Sequence, residues 1–373
     1  MTYHMSRRAL LKTTTKAIAL SGMSFAGHAQ AAATRRFEPQ PGVWRTFEIT
    51  TSVELRQAMG ASRVWLPVPA VDTAWQRSLE SSWSGNARSM KLVSDQKYGA
   101  RMLLAEFDAD QPDPVVQLTS RVQTMSRSVD WSARAAAKED PAALKAWLAP
   151  TELMPTDGIV RDTALQVTKG ARTDLDKARS IYDWIVANTY REPKVRGCGI
   201  GDIKSMLETQ NFGGKCGDIN GLFVGLCRAA GVPARDVYGI RLVPSAFGYR
   251  ELGGNPANLK SAQHCRAEVF LREYGWVAMD PADVGKVMRL ETGDWIKDAD
   301  HPVVAPVRKA LFGGWEGNWL GYNTAHDVVL PGSSGGRLGF LMYPQAESAQ
   351  GRYDPLDPDN FKYTITAREI TAA

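Results

Sequence analysis

Gly213-Gly214-Lys215-Cys216-Gly217-Asp218 is the stretch on which the reading of this chain turns. After it, Ile219, Leu222, Phe223, Leu226, Cys227 and Ala230 recur at helical spacing, and Gly231-Val232-Pro233 ends the pattern. The spacing predicts a helix over 216–230 with Cys216 in its first turn. At that position unpaired N–H groups and the helix dipole favour thiolate over thiol. Glycines 213, 214 and 217 suggest that backbone and substrate come close to the sulfur. Asp218 reads as a first-turn acid that complements the helix end. Gly214-Lys215 is not a phosphate loop, because cysteine follows instead of serine or threonine and the upstream glycine is missing.

A thiolate nucleophile needs an imidazole, and an imidazole needs an orienting group. The chain has five histidines, and His4 and His28 lie in the N-terminal leader. Of the rest, His301 precedes Pro302 in an irregular stretch, and His326 has Asp327 beside it in sequence, facing away if the segment is a strand. His264 begins an alternating run over 264–271, and a second run over 276–280 ends in Asp280. With a hairpin tip at 271–273, His264 would lie directly opposite Asp280. Cys216, His264 and Asp280 are therefore the expected triad. The Cys216 N–H, the Gln210 side chain and the Tyr190 hydroxyl are candidates for holding an oxyanion.

Composition bounds the rest. Hydrophobic residues make up 44% and charged residues 23%, the range of folded domains and not of disorder. Ser6-Arg7-Arg8-Ala9-Leu10-Leu11-Lys12, a weakly apolar stretch and Ala29-Gln30-Ala31 read as a twin-arginine export signal over 1–33, implying a periplasmic or exported protein. Four cations of the +5 net charge (Arg7, Arg8, Lys12 and Lys16) belong to that leader. The near-neutral remainder has no field to attract nucleic acid. No apolar run is long enough to span a membrane. The four cysteines show no C-x-x-C spacing, which disfavours zinc. Cys216 is expected to be a free thiol; the state of Cys198, Cys227 and Cys265 stays open.

Short alternating runs at 44–50, 63–69, 102–107 and 115–125 predict an all-β, sandwich-like domain over 34–140. A linker with one short helix follows at 141–155, then a helix over 163–188. The catalytic domain is expected over 141–290 and a β-rich C-terminal extension, packing on it, over 291–373. In the 244–263 loop Tyr249 could flank a cleft, and Trp315 and Trp319 could stack a ligand or pack in the core.

Three further runs join the Cys216 stretch. They are Leu226-Cys227-Arg228-Ala229-Ala230-Gly231-Val232-Pro233-Ala234-Arg235, His264 with Glu268 and Val269, and Gly275-Trp276-Val277 leading to Asp280-Pro281. In this order they resemble the transglutaminase-like superfamily over about 160–290. The resemblance implies an α+β, papain-like core with Cys216, His264 and Asp280 as catalytic triad and no metal or organic cofactor. Animal members use an upstream tryptophan at the oxyanion; Trp184 lies within the predicted helix, and Tyr190 is the more natural stand-in. The expected activity is cysteine-dependent acyl transfer on amide, peptide or isopeptide bonds, by hydrolysis or transamidation. The expected substrate is a protein or peptide, cell-wall peptide included. The alternative is a non-catalytic envelope-binding or scaffold module that keeps the fold.

Overall fold

The predicted helix forms as Cys216–Ala229, and every residue of it is buried. It packs against the strands Gln263–Leu271 and Ala234–Arg241 and the helices Gly158–Val167 and Asp174–Asn188. The sheet beside it is antiparallel, in the order Gly275–Met279, Gln263–Leu271, Ala234–Arg241, Trp319–Asn323. The computed structural model describes residues 35–370 apart from Gln57. The expected export signal over 1–33 lies outside the described residues.

Where one helix is expected over 163–188, the chain makes two. Gly170 adopts φ +89° in the break, and Thr173 caps the second helix. The Asp176 N–H donates to the Thr173 hydroxyl at 3.1 Å, and the Thr173 N–H donates back to the Asp176 carboxylate at 3.0 Å. This capping box starts a helix of its own inside what looks like one continuous apolar pattern.

The hairpin register also differs from expectation. Leu271 pairs with Gly275 and Ala267 with Met279, so the tip is 272–274 and Asp280 falls past the strand end, beyond direct register with His264. The shift is two positions, and a two-residue shift keeps each side chain on its face. His264 and Asp280 thus become diagonal neighbours, still within reach of each other. Asp280 then caps the helix Pro281–Leu290, accepting from the Asp283 N–H, with Pro281 in its first turn.

Two further sheets hold most of the predicted β-region. One runs Lys362–Ile370, Arg45–Glu54, Val115–Thr124, Gln76–Gly85; the other Gly351–Arg352, Gln345–Ser348, Ser62–Pro67, Arg101–Phe107, Ser89–Ser94. Phe47, Ile49 and Val53 of the first share one apolar core with Val64, Leu66, Leu103 and Phe107 of the second. The second sheet is buried on its other face as well, where Trp65, Met102 and Leu104 meet Ala325, Val328, Leu330 and Leu341.

The boundaries expected at 140 and 290 do not separate independent bodies, because the described residues form one compact unit. The C-terminal region explains why. It gives Trp319–Asn323 to the sheet beside the Cys216 helix, and Gln345–Ser348 and Lys362–Ile370 to the two N-terminal sheets. The segment expected to pack on one domain is stitched into three sheets.

Candidate active site

The sulfur of Cys216 sits at the N-terminus of its helix, with the residue only 2% exposed. Around it the glycines allow the close approach of backbone and side chains within the protein. A Cβ on Gly217 would meet the Cys198 carbonyl at 2.8 Å, where the Gly217 N–H donates to that oxygen at 2.7 Å. A Cβ on Gly214 would meet Asp218, and one on Gly213 the Tyr190 ring. Asp218 accepts from the N–H groups of Ile200, Gly201 and Lys215, tying the loop before the helix to its first turn.

His264 lies on one of the two inner strands of the sheet, with its carbonyl accepting from the Trp319 indole at 3.0 Å. The indole covers Gly239, which pairs with His264; any Cβ there would meet the ring at 2.4 Å. The His264 Nε2 is 2.7 Å from Asp280 Oδ2. That engagement leaves Nδ1 as the ring nitrogen free to serve the sulfur of Cys216, whose pKa the ring lowers. Asn220, one turn along the Cys216 helix, donates to Asp280 Oδ1 at 3.1 Å and to the Cys265 carbonyl at 2.9 Å, and accepts from the Ala282 N–H. Helix, strand and capping aspartate are locked together by this one amide.

A second carboxylate completes the cluster. Asp283 Oδ2 is 3.4 Å from His264 Nε2, and its Oδ1 accepts from Arg241 at 2.6 Å. Arg266 Nε lies 3.5 Å from Asp280 Oδ2. All five groups are buried. Burial and Arg241 pull the His264 pKa down, but Asp283 and Asp280 outweigh them and hold it above its ordinary value. Burial pushes the Cys216 thiol up; hydrogen bonds from Cys198, Cys265 and His264, with the charge of His264, reverse this and bring it well below the usual thiol range. Burial and the neighbouring Asp283 raise the Asp280 carboxyl, against the pull of His264 and Arg266. This arrangement favours a thiolate facing an imidazolium.

All four cysteines are free. The sulfurs of Cys198, Cys216 and Cys265 lie within 4.8 Å of one another, as do ligand atoms of His264, Asp280 and Asp283. Either set could ligate a metal ion, the first a thiophilic one. Spacing along the chain could not reveal the thiol set, because the fold draws it from three separate segments.

Of the other expected site residues, several are placed elsewhere. Tyr249 is buried, donates to the Val303 carbonyl at 2.8 Å and packs edge-on against Phe37; the cleft it borders is formed by its own loop, with Pro244, Gly248 and Asn255, and includes neither Cys216 nor His264. Trp315 and Trp319 are buried too, and the Arg266 guanidinium lies over both rings, at 5.1 and 4.7 Å. They hold the arginine that faces Asp280 and leave no face for a ligand. Gln210 is exposed at the left-handed end of the helix Ile203–Thr209, with φ 55°. Tyr190 is half-buried, pairs in parallel with Gly213 and packs on Trp295. The rival His326 bonds the Tyr238 hydroxyl and stands 3.5 Å from Asp236.

A profile of the Transglutaminase-like superfamily matches residues 161–281. An uncharacterized protein of Haemophilus influenzae is 33% identical over 343 residues, covering 87% of this chain and 91% of that protein. The uncharacterized protein YebA of Bacillus subtilis is 22% identical over 62% of this chain, which spans 30% of YebA. Among solved structures, one from Cytophaga hutchinsonii, provisionally assigned as a cysteine protease, aligns over 88% of this chain and 99% of its own. Its TM-score is 0.48 and its identity 17%. The periplasmic domain of TgpA from Pseudomonas aeruginosa aligns over 71% of this chain and 93% of its own at TM-score 0.34 and 16% identity. From the extent of the Haemophilus match, together with the family profile over the segment that holds Cys216, His264 and Asp280, this chain belongs to the transglutaminase-like superfamily.

Proposed function

We propose that this protein is a thiol acyltransferase or hydrolase acting on amide bonds of a protein or peptide. One observation carries the reading: a buried histidine whose Nε2 is held by a buried carboxylate at 2.7 Å neighbours a cysteine at a helix N-terminus and helps to lower its pKa. In this reading the Cys216 thiolate attacks the amide carbonyl. The tetrahedral intermediate collapses to a thioester as His264 gives its proton to the leaving amine. Neutral His264 then takes a proton from the acceptor, water or an amine, which attacks the thioester and frees the sulfur. Asp280 keeps the ring oriented and stabilises its cation, and Asn220 keeps Asp280 in place. The Cys216 N–H, at the open end of the helix, is the proposed oxyanion donor, with Tyr190 as a second candidate.

Export is part of the same proposal and rests on the Arg7-Arg8 leader. Among the described residues no helix is long and apolar enough to cross a membrane. The test is mass spectrometry of protein quenched in acid after incubation with peptide substrates. An acyl adduct on Cys216, absent from Cys216→Ala and lost to hydroxylamine, is expected. An unmodified Cys216 in a protein that still cleaves or cross-links would overturn the reading.

A further inference from the structure

A cleft of about 380 Å³ opens beside the site. Its inner wall is Cys198, Gln263 and Tyr343. Gln263 directly precedes His264, and the Cys198 sulfur lies within 4.8 Å of that of Cys216. The remaining wall is cationic, with Arg191, Lys194, Arg196, Lys215 and Lys260 all lining the cleft and no acidic side chain among its lining residues.

Most of this charge is uncompensated. Among the described residues only Arg196 of the five has a carboxylate partner, Asp354 at 2.8 Å. Arg191 buries its Nε without a hydrogen-bond acceptor. Lys215 is half-buried and makes no ion pair within 4.0 Å among the described residues. Lys260 lies over the Tyr363 ring at 4.9 Å. The nearby Glu192 carboxylate accepts from the Lys194 backbone N–H. Cations gathered with few counter-charges repel one another and lose solvation, an arrangement that an anion entering the cleft relieves. The buried, acceptor-less Arg191 Nε is a separate sign of the same thing, since a guanidinium donor is rarely left empty.

We infer that this cleft selects an acyl donor whose peptide carries carboxylate side chains beside the scissile amide, with Arg191, Lys215 and Lys260 as the groups that recognise them. The inference rests on the acyl-transfer reading above for the word donor, and on the cleft alone for the charge. Planar carboxylates suit the Arg191 fork, and the lysines supply point charges that adapt to spacing.

The test compares alkylation of Cys216 by iodoacetate and by iodoacetamide, followed by peptide mass spectrometry at that residue. The two reagents share size and chemistry and differ in charge. The ratio of iodoacetate to iodoacetamide rates at Cys216 should exceed that of a free small thiol by roughly tenfold. It should fall severalfold in Lys260→Gln and in Arg191→Gln, and fall with added salt in the wild-type protein, a readout that needs no variant to fold. Acetyl-Ala-Glu-Ala-amide should protect Cys216 from iodoacetamide better than acetyl-Ala-Gln-Ala-amide, and better than inorganic phosphate at equal concentration. A ratio equal to that of the free thiol and insensitive to salt overturns the inference while leaving the acyl-transfer reading intact. Protection by phosphate alone rejects the peptide carboxylate as the recognised group. A Cys216 inert to both reagents removes the acyl-transfer reading, and this inference with it.

Discussion

His264 and His326 are both buried, and each has a carboxylate nearby: Asp280 at 2.7 Å for His264, Asp236 at 3.5 Å for His326. They lie against opposite faces of the four-stranded sheet that carries His264, His326 itself coming from the separate strand His326–Val328. His264 pairs with Gly239, and alternation sets Asp236 and Tyr238 on the other side. Their charge surroundings are opposed. His264 meets two carboxylates, and its pKa is raised despite burial and Arg241. His326 is depressed well below the ordinary value by burial, then by the cations Arg228 and Lys97. Burial beside an aspartate therefore does not by itself mark a catalytic histidine. What separates the two is the balance of anions over cations around the ring, and a thiol within reach of only one of them.

The sharpest way to break this comparison is to remove each ring in turn. His264→Ala should lower kcat/KM on a peptide amide by roughly 10³–10⁴-fold, while His326→Ala should leave turnover per folded molecule within a factor of a few. Equal losses from the two variants, at matched folded fractions, would dissolve the distinction. Next in size is Asp280→Asn. It keeps the shape and a helix cap but removes the charge that stabilises the imidazolium, so kcat should fall about 10²–10⁴-fold with KM little changed. A change confined to KM would place Asp280 in binding instead.

The smallest effect concerns stability on the other face. Asp236 has no hydrogen-bond partner for either carboxylate oxygen, and burial raises its pKa to about 7, with Arg228 opposing. Its unfolded value is about 3.9. Between those limits the native state holds a proton that the unfolded chain has lost, so this group's contribution to stability falls as pH rises from about 4 to about 7. Asp236→Asn should therefore match the wild type in urea unfolding at pH 4. At pH 8 it should be more stable, by at most about 4 kcal/mol at 1.36 kcal/mol per unit. A variant less stable at pH 8 would show that the ionised carboxylate is needed where it lies.

Much of the candidate site was legible because its parts sit on strongly patterned elements. The apolar stripe after Cys216 fixes a helix, and alternation fixes the face of His264; an error of two in register leaves that face unchanged. What was not legible depends on convergence. Asn220, Arg241, Asp283 and Arg266 gather around Asp280 from different segments, and each alone looks like an ordinary polar residue. Cys198 and Cys265 join Cys216 in the same way. One local signal was available: Asp280-Pro281, followed by Asp283, is a helix N-cap with proline in the first turn, and it announces the helix Pro281–Leu290. Tyr249, Trp315 and Trp319 show the converse. An aromatic side chain in a glycine-bearing stretch gives no sign of which way it faces, and here all three turn inward. The C-terminal strands escaped for a related reason. Lys362–Ile370 reads as a strand, but nothing within it says that its partner is Arg45–Glu54, at the far end of the chain.

The claim on which the rest depends is that Cys216 is held as a thiolate by His264. It is tested most directly by the rate of iodoacetamide alkylation at Cys216 between pH 4 and 10, in the wild type and in His264→Ala. The account predicts that wild-type reactivity persists well below pH 7, since the sulfur's pKa is lowered and the imidazole's raised, and that His264→Ala returns it toward an ordinary thiol titration near about 8.5. A wild-type profile that already follows the ordinary thiol, unmoved by the loss of His264, would contradict it.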